Sequence, residues 1–274
     1  MADLWHIAGF NAMTKETQEK LAASLTAETV ELLPFLPYLL QDFWEIGSEP
    51  KVIAYLIKQH LHLSKNTKVL DLACGKGAVS VKIAHELNLQ IKGIDLIPQF
   101  VAFATEKAVE FGVADLCEFV TGDINESIKT EEDYDCVIFG AAGNILGSPA
   151  ETLSKLKDTI KVGGYMIIDE GYLPDDASPS DVQYQNYEYL TESQWAALFK
   201  EANLELVEAV FDVESPENPD SLEGTKCISQ RATELTQKFP DKKEIFDGYI
   251  RSQQNEYEDI GNPLVCVTWI LKKL

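Results

Sequence analysis

Positive charge is what this chain lacks most. Its 274 residues carry 23 lysines and arginines against 45 aspartates and glutamates, a formal net charge of −22. Arginine is almost missing: Arg231 and Arg251 are the whole supply. No stretch clusters basic side chains, and neutralising a phosphate backbone needs such a cluster, so nucleic acid is excluded as a partner. The cysteines Cys74, Cys117, Cys136, Cys227 and Cys266 are scattered and odd in number. None has C-x-x-C spacing, which argues against a disulfide framework and against a zinc site; no metal is expected. They read as buried, reduced thiols. No apolar run is long enough to span a membrane, and none has the character of a secretion signal. The expectation is a soluble, cytoplasmic protein with no membrane partner. Internal repeats and low-complexity tracts are also missing.

What is present is organised around Val69-Leu70-Asp71-Leu72-Ala73-Cys74-Gly75-Lys76-Gly77. The apolar run predicts a buried strand of a parallel sheet. Gly75 and Gly77 predict a sharp turn in which a ligand can touch bare backbone. Val79, Ile83, Ala84 and Leu87 have helical spacing, so a helix N-terminus follows. Strand, glycine turn and helix N-terminus together make a nucleotide site.

Two nucleotide families use this geometry. The dinucleotide fingerprint G-x-G-x-x-G is matched at Gly75 and Gly77, but its third position is Ser80. Read with the acid that precedes it, Asp71-x-Ala73-x-Gly75-x-Gly77 resembles motif I of class I S-adenosylmethionine-dependent methyltransferases, D/E-x-G-x-G-x-G, with Ala73 in place of the first glycine. Further signals follow at βαβ spacing. Ile91 to Ile94 reads as a second strand ending in Asp95-Leu96-Ile97-Pro98. An acid about 20 residues after the glycine turn is placed to accept from ribose hydroxyls. Cys117 to Thr121 leads into Gly122-Asp123-Ile124, where the resemblance implies an acid on the adenine amino group and an apolar residue on the ring. Asp135 to Phe139 opens into Gly140-Ala141-Ala142-Gly143-Asn144, a small-residue loop at the methionine end. Helix capping is the plainer reading of Asp95 and Asp123 taken singly.

The resemblance implies a doubly wound, Rossmann-like α/β sheet of seven strands, the seventh antiparallel, between the fifth and sixth. Residues 1 to 62 read as an N-terminal helical cap and 63 to 274 as the core. Within the cap, Thr14 to Leu25 is weakly amphipathic, Thr26 to Trp44 is apolar but interrupted at Pro34 and Pro37, and Ser48 is placed to cap a helix from Pro50 to Leu61. The aromatic first ten residues read as core packing more readily than as substrate contact. Ser148 and Glu151 form a capping box for a helix closed by Gly163-Gly164, and the strand Tyr165 to Ile168 ends in Asp169-Glu170. A loop with Tyr184, Tyr187 and Tyr189 follows, then a helix opened by Thr191 and Gln194. Strands are expected over Glu205 to Val213 and Leu264 to Leu271. Between them about fifty residues intervene, far more than a turn needs. Periodicity over about 215–261 predicts two helices, stopped by Pro240 and Gly261. Such a hairpin serves as a substrate lid, a homodimer contact, or both.

The resemblance implies S-adenosyl-L-methionine as cofactor, with Asp71, Ala73, Gly75, Gly77, Asp95, Leu96, Asp123, Ile124 and Gly140 as its binding residues. Candidates for a catalytic or positioning group are Asn144, Asp169 and Glu170. Of the histidines, His60, His62 and His85 fall in or beside core helices, leaving His6 with a route to a pocket. The loop after the fourth strand has neither the N/D-P-P-Y/F motif nor the Pro-Cys nucleophile of nucleic-acid methylases, so a small-molecule acceptor is expected, with a protein as the second choice. Arg251, sharing a helix with Tyr249 and Tyr257, is a candidate reader of an anionic acceptor group. The plainer alternative pairs it with surface acids. Two rival readings remain: an NAD-dependent oxidoreductase, and a non-catalytic S-adenosylmethionine-binding protein on the same fold.

Overall fold

Strand β1 (Lys68–Leu72) lies inside a seven-stranded sheet, with Val69, Leu70 and Leu72 wholly removed from solvent. The computed structural model describes residues 13–185, 187–211 and 219–274. The other strands are β2 (Gln90–Asp95), β3 (Cys117–Thr121), β4 (Tyr134–Gly140), β5 (Ile160–Tyr172), β6 (Leu204–Phe211) and β7 (Val265–Lys273). Their order is β3-β2-β1-β4-β5-β7-β6. The first five are parallel, and β7 runs antiparallel between β5 and β6, as the resemblance implied. The chain winds from β1 out to β3, then returns to place β4 on the other side of β1. That reversal opens a crevice at the carboxyl ends of β1 and β4.

The helices are α1 (Lys15–Ser24), α2 (Leu36–Leu39), α3 (Pro50–His60), α4 (Ala78–Leu87), α5 (Pro98–Glu110) and α6 (Ile124–Ser127), then α7 (Pro149–Thr159), α8 (Glu192–Glu201), α9 (Pro219–Lys238) and α10 (Lys243–Asp259). The period-2 alternation of the strands sorts their side chains into two layers. Ile138 and Ile167 meet Ile53 and Ile57 of α3 and Val81 and Ala84 of α4 on one face. Val137, Phe139, Met166 and Ile168 meet Leu153 and Leu156 of α7 and Trp195 and Phe199 of α8 on the other.

The long insertion folds as the expected hairpin, with α9 and α10 packed on each other and against the N-terminal helices. Phe35 is the hinge pin: its ring meets Phe239 at 5.3 Å and Phe246 at 5.1 Å, both edge to face. Burying a side chain such as Phe246 contributes about 1.5–3 kcal/mol, enough to hold the hairpin over the sheet's carboxyl edge.

Two local expectations are corrected, and a third holds. Ser48 does not cap α3; the Glu49 carboxylate does, accepting from the Lys51 N–H at 3.1 Å. Gly163-Gly164 does not close α7, which ends at Thr159; Gly163 (φ 76°) sits instead in β5, where its pairing with β4 shifts register. Between Thr26 and Trp44 the chain makes a 3₁₀ segment (Val30–Phe35) and the single turn of α2, the interruption that Pro34 and Pro37 foreshadow. His6 and the aromatic first ten residues lie outside the described residues, as do 212–218 at the end of the strand expected through Val213.

Candidate functional site

The turn after β1 is built from three left-handed residues: Ala73 (φ 58°), Gly75 (φ 52°) and Gly77 (φ 70°). Alanine therefore occupies the first position in the conformation that glycine takes elsewhere in the turn, at a cost of roughly 1–2 kcal/mol. At Gly75 a Cβ would come within 2.9 Å of the Ile46 side chain. At Gly77 it would come within 2.6 Å of the Ala104 Cβ and 3.0 Å of the Phe119 ring. Gly77 thus serves the packing of α4 against α5 and β3, behind the turn.

Residues that the sequence pointed to converge on one cavity beyond that turn. Its wall includes Asp71, Ala73, Gly75, Asp95, Leu96, Asp123, Ile124 and Gly140. Gly77 is not on the wall, for the packing reason just given. Asp95, at the tip of β2, accepts from the Gly75 N–H at 2.9 Å and the Ile97 N–H at 2.8 Å. Burial nevertheless pushes its carboxyl up to about 6. Asp71, almost fully buried, accepts from the Ser80 hydroxyl at 2.5 Å; burial pushes it up to about 7, with the neighbouring Asp95 adding to the effect. Asp123 caps α6 through the Asn125 N–H and receives a 3.3 Å hydrogen bond from Thr17 of α1. The capping role is real at Asp123, and it coexists with a place on the cavity wall.

Sequence reasoning missed the residues that close this cavity. The segment between α2 and α3 contributes Trp44, Ile46 and Ser48 to the wall. Lys76 ties that segment down: its ammonium donates to the Leu40 carbonyl at 2.6 Å and to the Phe43 carbonyl at 2.5 Å. In return Trp44 Nε1 donates to the Lys76 carbonyl at 3.1 Å. Phe103 and Phe100 lie 5.1 and 5.7 Å from the ammonium. Burial lowers the Lys76 amine to about 8. A lysine between two glycines of a buried turn was the available signal, because lysine is seldom buried without such partners. Ser48 Oγ is buried on this wall with no hydrogen-bond partner, so close to Gly140 that a Cβ there would overlap it.

A second space adjoins the first, and Ser24, Glu45, Gly47 and Ala141 line both. It extends over the end of β5 to Asp169, Glu170, Tyr184, Tyr187, Tyr189 and Glu256. Tyr187 donates to Glu170 Oε2 at 2.7 Å. Burial foremost, with Asp169 beside it, pushes the Glu170 carboxyl up to about 7. Of the three catalytic candidates, Asp169 and Glu170 are on this wall, whereas Asn144 lies in the 3₁₀ turn between cavity residues and lines neither space. The arginine reading is corrected. Arg231 grips Asp42 through two nitrogens at 2.6 and 2.7 Å and pairs with Glu234 at 3.0 Å, while Arg251 is exposed to solvent and lines neither space. Among the described residues no cluster of His, Cys, Asp and Glu could hold a metal ion, and all five cysteines are free thiols. No helix among them is long and apolar enough to cross a membrane.

The first space fits an adenosyl sulfonium ligand. Acids stand at three strand ends, Asp71 and Asp95 buried and Asp123 half-buried; the glycine backbone is bare, and the Ser48 hydroxyl lacks a partner. Comparison with known proteins points the same way. The demethylmenaquinone methyltransferase of Lactiplantibacillus plantarum is 26% identical over 175 residues, covering 54% of this chain and 74% of that protein. The uncharacterized protein YjhP of Escherichia coli is 30% identical over 112 residues, 41% of this chain and 45% of its own length. Among solved structures, a SAM-dependent methyltransferase from Geobacter sulfurreducens in complex with S-adenosyl-L-homocysteine superimposes with a TM-score of 0.70 at 20% identity, covering 87% of this chain and 97% of that one. A similar enzyme from Thiobacillus denitrificans gives 0.68 at 20% identity, covering 88% and 98%. Residues 63–251 match the family described as a methyltransferase domain, so the chain belongs to that family and is a class I S-adenosylmethionine-dependent methyltransferase.

Proposed function

We propose that the chain holds S-adenosyl-L-methionine in the cavity at the ends of β1, β2, β3 and β4 and methylates a small molecule in the adjoining space over β5. In this reading Asp95 accepts from the ribose hydroxyls and Asp123 from the adenine amino group. Leu96 and Ile124 lie against the ring. Asp71, Ala73, Gly75 and Gly140 border the methionine portion, and Gly77 shapes the turn from behind. The bound sulfonium would supply a methyl group that is already activated, so the protein's work is alignment and exclusion of water. Lys76 and Trp44 hold the covering segment on the glycine turn. Glu170 stands where an acceptor proton would have to go, with Asp169 beside it; Asn144 takes no part. Residues 1–62 act as a cap, and α9 and α10 roof the acceptor space.

The observation that carries this reading is the continuity of the two spaces through Ser24, Gly47 and Ala141. The small-molecule class is supported by the net charge of −22 and by the likeness to the Lactiplantibacillus demethylmenaquinone methyltransferase. Free thiols throughout suit a cytoplasmic location. The nicotinamide alternative is disfavoured at Ser80, where the hydroxyl that replaces the third glycine is committed to Asp71. Calorimetric titration with S-adenosyl-L-homocysteine and with NAD⁺ tests the reading. The first is expected to bind and the second not to; the opposite result overturns it. Tight cofactor binding without methyl transfer to any small molecule would favour the non-catalytic alternative.

A further inference from the structure

The acceptor space has a one-sided chemistry. Asp169 and Glu170 stand on its floor, Glu256 on its α10 wall, and Glu45 and Glu49 at its rim. Among the described residues, no lysine, arginine or histidine lines it. Three tyrosines complete the wall. Tyr187 and Tyr189 meet edge to face at 4.7 Å and 63°, forming an aromatic corner beside Glu170. Burial pushes the hydroxyls of Tyr184, Tyr187 and Tyr189 well up, so these rings stay neutral and offer electron-rich faces. Aromatic faces and carboxylates around one space attract a cation. An anionic group would meet only like charge there, with both arginines committed elsewhere or exposed. The Ser48 hydroxyl, between Gly47 and Glu49 on the wall of the first space, is a buried polar group without a hydrogen-bond partner.

We propose that the methyl acceptor is an amine that enters as its ammonium ion and is seated between Glu170 and the rings of Tyr187 and Tyr189. This rests on the methyltransferase reading above and narrows its substrate class. Glu170 receives the proton that the ammonium must lose, and the freed nitrogen lone pair forms the new N–C bond. The bond from that methyl carbon to sulfur breaks, and its electron pair stays on sulfur. The proton then leaves Glu170 for solvent, so one proton is released for each methyl transferred. Glu170 suits the task because its carboxyl, pushed up to about 7, exchanges protons near neutral pH. Asp169 on the same strand, Tyr187 and Tyr189 on the loop, and Glu256 on α10 surround it; none is a cation. After transfer the methylated ammonium is still a cation, which the tyrosine faces hold without an N–H bond.

The test uses full-length protein loaded with S-adenosyl-L-homocysteine and three matched probe series, each in ethyl, butyl and phenylethyl form: ammonium, alcohol and carboxylate. Binding is read by calorimetry or ligand-observed NMR. At least one ammonium is expected to bind about tenfold or more tightly than its alcohol and carboxylate counterparts. Glu170→Gln should abolish that preference while S-adenosyl-L-homocysteine affinity stays unchanged. Tyr189→Leu should weaken the ammonium severalfold, and Tyr189→Phe, which keeps the ring, should restore it. Failure of every ammonium to bind, equal binding of the three series, or preference for the carboxylates overturns the proposal. If S-adenosyl-L-homocysteine binds and the carboxylates win, only the acceptor class falls. If S-adenosyl-L-homocysteine does not bind, the methyltransferase site itself falls.

Discussion

Ser80 donates its hydroxyl hydrogen to the Asp71 carboxylate at 2.5 Å, joining the helix after the glycine turn to the strand before it. Both residues are buried, and Asp71 faces a cavity that also holds the Asp95 carboxylate. The bond therefore steadies a charge that burial and a like neighbour both oppose.

Ser80→Ala should expose that opposition. A buried acceptor left without its donor costs about 1–3 kcal/mol. The Asp71 carboxyl already stands at about 7 rather than 3.8. The folded state accordingly binds more protons than the unfolded one between those values, and Asp71's contribution to stability is lost as pH rises through about 7. Removing Ser80 raises the folded value further. The denaturation midpoint of Ser80→Ala should lie below wild type by more at pH 8 than at pH 5; an equal deficit at both would mean the bond does not serve the charged form.

Lys76→Met should loosen the cover. The shorter side chain keeps most of the apolar stem but leaves the Leu40 and Phe43 carbonyls without their donor. S-adenosyl-L-homocysteine affinity should fall at least about tenfold, the loss expected from one charge-assisted hydrogen bond. Amide exchange over residues 40–48 should quicken in the free protein. Unchanged exchange there would show that Trp44 and Ile46 hold the segment without Lys76.

The winding of the sheet and one cavity's main groups were legible because they depend on local patterns. Short apolar runs, acids at strand ends and a glycine turn each declare themselves within about ten residues. The antiparallel β7 was legible only through the resemblance, since alternation says nothing of strand direction. What stayed hidden depends on contacts between distant segments. Ser48 reads as a helix cap from its place before Pro50, yet Glu49 takes that role and leaves Ser48 facing Gly140. Gly77 reads as a ligand contact, yet it makes room for Ala104 and Phe119. The plainer, ion-pair reading of the arginines holds at Arg231, but its partner Asp42, 189 residues away, was not legible. The carboxylate and tyrosine lining of the acceptor space comes from α10, β5 and the loop between β5 and α8, which meet only in the fold.

Asp95→Ala removes a cofactor contact and a turn support together. The carboxylate holds the Gly75 and Ile97 N–H groups and is proposed to hold both ribose hydroxyls as well. Each lost bond is worth about 1–3 kcal/mol, so affinity for S-adenosyl-L-homocysteine should fall at least about tenfold. Asp95→Asn keeps one carbonyl acceptor and should fall less. Calorimetry that finds both variants equal to wild type would sink the ribose assignment.

Glu170 and Tyr187 give a second dependence on pH, at the acceptor space. The Glu170 carboxyl sits at about 7, raised from 4.5 first by burial and then by Asp169, while the Tyr187 hydrogen bond pulls it down. A carboxyl raised on folding stabilises the protein below its unfolded value, and that contribution is lost as pH climbs through the folded value, here between about 4.5 and 7. Glu170→Gln removes the titration while keeping an acceptor for Tyr187. It should match wild type in stability near pH 4 and exceed it at pH 8, by about 1–3 kcal/mol for a shift of this size. Tyr187→Phe acts in the opposite direction: without the donor the carboxyl rises further, and the variant should lose stability relative to wild type mainly above pH 7. The same two residues govern the rate. With Glu170 as the base, kcat/KM should rise through pH 7 in the wild type, shift its rising limb upward in Tyr187→Phe, and lose that limb in Glu170→Gln. A limb that stays in place when Tyr187 is changed would assign the ionisation to the acceptor rather than to Glu170.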